Sequence, residues 1–210
     1  MLYKEIRLVA HPSSIVFVTL GCLVIVPAYP YSVIFMFGCL ASYVTFVNAR
    51  ETNDAWYSAI LPKTKKDYVL GKILLVASFQ VFQLLFSVPF VLLRTALNIP
   101  NNPVGLDPSI AWYGMGLILY AIFDFVFLTS FFKTGCKVGL SFIKAAIPMT
   151  ILMLAIEACA HIPNLSWLDS FSPIDLFHQV PILAVGIIAY CTLLLFTYHI
   201  CCKRFKNVDL

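Results

Sequence analysis

Hydrophobic positions along the chain fall into six runs: roughly Pro12 to Val26, Ser32 to Ala49, Tyr68 to Leu93, Ile110 to Phe132, Val138 to Ala160 and Phe177 to Cys202. An α-helix needs about 20 apolar residues to cross the ~30 Å hydrocarbon layer, so runs of this kind predict membrane-spanning helices. The first run is short, and the segment before it is amphipathic. Leu2, Ile6 and Val9 recur at helical spacing among Lys4, Glu5 and Arg7, which predicts an interfacial helix over residues 1–11 before His11-Pro12 turns the chain inward. A cleaved signal peptide would also begin basic and continue apolar, but Glu5 and the missing small-residue cleavage pattern favour a retained helix. Between the second and third runs lies the longest polar interruption, Arg50 to Lys72.

Composition narrows the class. Of 210 residues, 61% are hydrophobic and 11% charged, and the mean hydropathy is +0.92. Soluble domains carry roughly a quarter charged residues. The expected fold is therefore all-α: a polytopic membrane protein of six transmembrane helices forming a single domain over 1–210, with no separate soluble catalytic unit. Of the 14 Lys and Arg residues, all but Arg94 sit in the N-terminus, the Arg50 to Lys72 stretch, the Lys133 to Lys144 stretch and the C-terminal tail. By the positive-inside rule these four segments face the cytoplasm, as expected for a multi-pass protein of the plasma (inner or cell) membrane with both termini inside. The net charge of +4 thus reflects topology, and no nucleic-acid partner is expected. On the other side the loops are short and rich in proline. Trp112, Tyr113 and Trp167 near them fit headgroup anchors.

Within the spans, a few polar residues carry candidate chemistry. Gln80, Gln83, Ser87 and Arg94 share one helical sector of the third run, beside a stripe of Phe79, Phe82, Phe86 and Phe90. This face either lines a path for an amphipathic substrate or hydrogen-bonds to neighbouring helices. Asp124, in the fourth run, is costly in lipid and must face protein or water, either as a proton-relay or substrate-binding group of the translocation path or as a structural carboxyl. Glu157 is placed to pair with Arg94 or to reach headgroup water. Gly114-x-Gly116 and Gly135-x-x-x-Gly139 invite close helix packing. The seven cysteines, Cys136 among them, sit mostly inside or at the ends of apolar runs without metal-ligand spacing, and no histidine stands at ligand spacing to Glu or Cys. No metal is expected. Hydrolase and intramembrane-protease patterns are missing, and so is the G-x-x-x-x-G-K-[ST] phosphate loop, which argues against an enzyme.

The Arg50 to Lys72 stretch has its own grammar. Asn53 or Thr52 can cap a short helix that carries Trp56, Ala59 and Ile60 on one face and ends before Pro62. Thr64-Lys65-Lys66-Asp67 then has capping-box form and starts a second helix that runs into the third span. With Glu51, Leu61-Pro62, Thr64, Lys65-Lys66, Asp67 and Gly71-Lys72 in this order, the stretch resembles the cytoplasmic segment of ABC-2 type permeases, the membrane subunits of type V ABC exporters. The resemblance implies that residues 50–67 form a coupling segment whose first helix rests on a separate ABC ATPase subunit. It makes Glu51, Asp54, Trp56 and Tyr57 candidates for ATPase contact, with Lys63, Lys65 and Lys66 touching either the ATPase or anionic membrane lipids. It also implies a second permease copy, identical or not, and ATP and Mg bound by the ATPase rather than by this chain.

The function expected from this resemblance is the membrane subunit of an ATP-driven exporter. The Phe-rich wall suits an amphipathic or hydrophobic substrate: a peptide toxin, an antimicrobial peptide or a lipid-like molecule. The alternative is a proton-coupled secondary transporter working through Asp124. A membrane-embedded enzyme would need a polar constellation that the sequence does not offer.

Overall fold

A computed structural model describes residues 2–60, 64–135 and 137–206. Every regular element among them is helical. An α-helical turn α1 (Leu2–Lys4) continues into a π-helical turn (Glu5–Val9). Then come α2 (Pro12–Thr19), a 3₁₀ segment (Leu20–Ile25), α3 (Val33–Glu51), the short α4 (Asp54–Ile60) and α5 (Lys65–Ala96). The chain ends with α6 (Ile110–Lys133), α7 (Val138–Cys159), a second 3₁₀ segment (Pro163–Asp169) and α8 (Pro173–Lys206).

Five helices, α3, α5, α6, α7 and α8, are long and apolar enough to cross a membrane. The first hydrophobic run is not a sixth helix of that length. His11 accepts a hydrogen bond from Ser13 N–H at Nδ1 and Pro12 occupies the first turn, so α2 starts where expected. After 8 residues, however, the helix tightens into the 6-residue 3₁₀ segment. At about 1.5 and 2.0 Å per residue these two pieces together reach roughly 24 Å. The segment runs parallel to α5, from Ile15 and Val18 beside Phe79 and Phe82 to Gly21 against the Gln83 carbonyl. Its far end is held by Arg94, which donates to the Val24 carbonyl.

The long helices pack around α6. In α6, 72% of the apolar window is buried, against 17% in α8, whose outer face is left open. An aromatic core fills the spaces: Phe35 lies 4.3 Å from Trp112 and edge-on to Tyr120, while Phe46 meets Phe127 and Phe131 edge-on. Trp112 is therefore no headgroup anchor; it is fully buried, because the first turn of α6 already packs on α3. Gly114 does mediate close packing, but its partner is Gly186 of α8, which the glycine spacing did not indicate. A Cβ on Gly186 would stand 2.3 Å from the Gly114 carbonyl oxygen, so only hydrogen fits at this crossing. Gly116 makes room for the Phe35 ring. Among the described residues the Gly135/Gly139 pair packs on no other element: no atom from elsewhere lies within 4 Å of a Cβ built at either position, and Gly135, at φ 61°, serves the turn after α6.

Candidate functional site

At the charged end of the bundle, α1, α4 and the base of α5 meet in a buried ion cluster. Lys72 is completely buried, and its Nζ donates to Glu5 Oε2 at 2.7 Å and Asp54 Oδ2 at 2.6 Å. Lys4 closes the cluster by donating to Asp54 Oδ1, to Glu5 Oε1 at 3.3 Å and to Ser58 Oγ at 2.7 Å. The Lys72 ammonium also stands over the Tyr68 ring, 5.1 Å from its centre. Two cations and two carboxylates thus neutralise one another away from water, and removing one would leave the others uncompensated at about 3–5 kcal/mol. Burial alone would raise the Asp54 carboxyl; Lys72 and Lys4 outweigh it and hold it below the usual carboxylate range.

The local sequence explains how the cluster is positioned. Asn53 takes a left-handed conformation at φ 51°, turning the chain sharply between α3 and α4, and Tyr57 N–H bonds back to the Asn53 carbonyl. Thr64 and Asp67 then form the expected reciprocal capping box, Asp67 N–H to Thr64 Oγ1 and Thr64 N–H to Asp67 Oδ2. The π-helical turn is the unexpected part. Its wider register places Glu5 inward with Val9, so Glu5 is buried rather than lying on a polar interfacial face.

The candidate coupling residues divide accordingly. Trp56 is 62% exposed and Tyr57 48%, and Ile60 beside them is 63% exposed, giving α4 an outward aromatic and aliphatic face. Glu51, the last residue of α3, is also exposed. Asp54 points the other way: its carboxylate is committed to Lys72 and Lys4, so it braces α4 from within. Lys65 is exposed, donates to the Lys206 carbonyl at 3.4 Å and lies over the Phe205 ring; Lys66 is exposed on the same turn. Lys63 lies outside the described residues, together with Leu61-Pro62. A groove of ≈140 Å³ separates α4 from α5 and the end of α8, lined by Ala55, Ser58, Ala59, Thr64, Lys65, Tyr68 and Phe205.

Further along α5, the predicted polar sector exists and faces the interior of the chain. Gln80 donates to Asp124 Oδ1 at 2.7 Å and accepts from the Tyr190 hydroxyl at 2.7 Å. Gln83 donates to the Ile34 carbonyl and accepts from Tyr120, while the Ser87 and Tyr113 hydroxyls share a bond at 2.7 Å. All three α5 side chains and Asp124 are buried. Among the described residues Asp124 Oδ2 has no partner. The Phe82, Phe86 and Phe90 rings pack in series along the neighbouring, more exposed face.

Arg94 stands at the opposite end of α5 and pairs with Asp107, at 2.7 Å, rather than with Glu157. Its guanidinium also donates to the Tyr31 hydroxyl and the Pro100 carbonyl. Glu157 instead accepts from the backbone N–H of Ser32 and Leu106, and Asp169 accepts from the N–H of Asp107. These bonds clasp loop 97–109 to the ends of α5 and α7 and to the turns around residues 31 and 169. Within the clasp, burial pushes the Asp107 carboxyl up to about 6 despite Arg94, with Asp169 adding to the rise.

The sequence reading missed Lys4, Glu5, Lys72, Asp107, Tyr120 and Tyr190. For Lys72 a signal was present: Lys72, Val76, Gln80, Gln83 and Ser87 continue one helical sector, so extending the polar face two turns toward the N-terminus reaches it. No group of three or more metal-ligating side chains occurs among the described residues. No protein-family model, curated protein or solved structure matches the chain.

Proposed function

We propose that the chain is the membrane subunit of an ATP-driven exporter of the ABC-2 type, with both termini cytoplasmic and the α2–3₁₀ segment acting as the first of six crossings. A separate ABC ATPase docks on α4, two permease copies form the path, and an amphipathic or hydrophobic peptide or lipid-like molecule passes along it. The observation that carries this reading is the two-sidedness of α4. Its outer face offers Trp56, Tyr57 and Ile60 to a partner, and its inner face is tied through Asp54 to Lys72 of α5. A push on α4 therefore reaches a helix of 32 residues directly through a buried ion pair.

The test is affinity capture of the full chain from its native membrane, followed by ATP-dependent export in vesicles. Trp56→Ala and Tyr57→Ala, both at exposed positions, are expected to lower recovery of a phosphate-loop ATPase and its stimulated hydrolysis at least tenfold while thermal unfolding is unchanged. Recovery of the ATPase at the natural level with both variants would end this reading. The unpartnered oxygen of buried Asp124 favours one second reading, a proton-coupled transporter. That protein would transport without any ATPase and lose transport on Asp124→Asn.

A further inference from the structure

Beside the ion cluster, a groove of ≈230 Å³ opens between the π-helical turn, α2 and α5. Ile6, Ile15, Val18, Ser78, Phe79 and Phe82 line it, and the one hydroxyl among them, that of Ser78, is already bonded to the Leu75 carbonyl. Nothing in the lining asks for a polar ligand. The residue next to Ile6 in the chain is different. Arg7 follows Ile6 in the π-helical turn, is exposed, and stacks its guanidinium 5.7 Å over the ring of Tyr3, whose hydroxyl accepts its hydrogen bond. Among the described residues no carboxylate lies within ion-pair distance of Arg7, whereas the neighbouring charges of Lys4, Glu5, Asp54 and Lys72 satisfy one another. Among its described residues the N-terminal segment therefore presents one cation without an ion-pair partner, next in sequence to Ile6 of an apolar slot on a helix long and apolar enough to cross a membrane.

We propose that this groove is a binding site for an anionic phospholipid, with an acyl chain lying between Ile6, Val18 and Phe82 and the headgroup phosphate on Arg7. The guanidinium offers a planar pair of donors to phosphate oxygens, and Tyr3 holds it ready on the surface. Charge complementarity selects an anionic over a zwitterionic lipid, because only the former keeps net negative charge beside Arg7. The site is independent of whether an ATPase docks on α4.

The experiment is native mass spectrometry of the full chain in detergent with equal amounts of dioleoyl-phosphatidylglycerol and dioleoyl-phosphatidylcholine. One cation near the membrane surface is worth about 1 kcal/mol, so retention of the anionic lipid should exceed the other about fivefold. Arg7→Gln should abolish the preference and Arg7→Lys should keep most of it. Ser78→Leu, which fills the groove, should reduce retention of both lipids. Equal retention of the two lipids by the natural chain, or a preference unchanged in Arg7→Gln, overturns the proposal. So does undiminished retention in Ser78→Leu. Glycerol 3-phosphate without acyl chains should not bind measurably, and its binding as tightly as the lipid would overturn the role of the groove.

Discussion

At the scale of single residues, the most consequential side chain is Lys72. Lys72→Met keeps the length of the side chain and removes its charge, leaving Glu5 and Asp54 with only the support of the partly buried Lys4. We expect a loss of about 3–5 kcal/mol, read as a lowered thermal midpoint in detergent, and partial recovery when Glu5→Gln and Asp54→Asn are added. A loss no larger than that of an exposed lysine such as Lys66 would show the cluster to be solvated. Asp107 makes a second prediction, with the opposite acid response to Asp54. Its carboxyl is raised in the folded chain, so the clasp is most stable where Asp107 is protonated in both states and weakens as pH rises from about 4 to about 6. Asp54 is lowered, so its contribution is present above about 4 and lost in stronger acid. The thermal midpoint of the natural chain minus that of Asp107→Asn should therefore fall between pH 4 and pH 7, and a difference flat with pH would refute the assignment. Neither pairing was legible beforehand, because Glu5 and Lys72 are 67 positions apart and Arg94 has acids available on two different loops.

Elements were more legible than pairings, for reasons of range. A capping box closes within four residues, so Thr64-Lys65-Lys66-Asp67 announced the start of α5 without any tertiary help. The long apolar runs likewise dictated α3 and α5 to α8, with ends shifted by a few residues as charged turns such as Lys203 to Lys206 extended the helix. What failed was anything that depends on a neighbour. Trp112 reads as an interfacial residue only until α3 brings Phe35 against it, and Gly135 and Gly139 have useful spacing but no facing helix among the described residues. At the real crossing, Gly186→Ala would drive a methyl into the Gly114 backbone. Backbone cannot rotate away, so α6 and α8 must separate, at about 1–3 kcal/mol. Gly139→Ala, in open space within α7, should be neutral or gain up to about 1 kcal/mol from helix propensity. Equal midpoints for the two variants would mean that α6 and α8 do not touch here.

For the whole molecule, the distribution of charge and of buried polar groups gives the bundle two unlike ends joined by α5. One end concentrates its charges in a closed cluster beneath a helix with an exposed apolar face; the other clasps a loop with a single arginine. Between them the polar sector of α5 is satisfied by α3, α6 and α8, which explains why sequence periodicity found that sector while its surroundings stayed open to two readings. The α2–3₁₀ segment is another connection between the ends. Were its 6 residues of 3₁₀ helix to relax to α-helical rise, the segment would shorten by about 3 Å. With Ser14 moored at one end by bonds to Ala41 and Thr45, that contraction would draw the Val24 carbonyl off Arg94. The pitch of six residues thus acts as a ruler: it sets how far the clasp stands from the charged end.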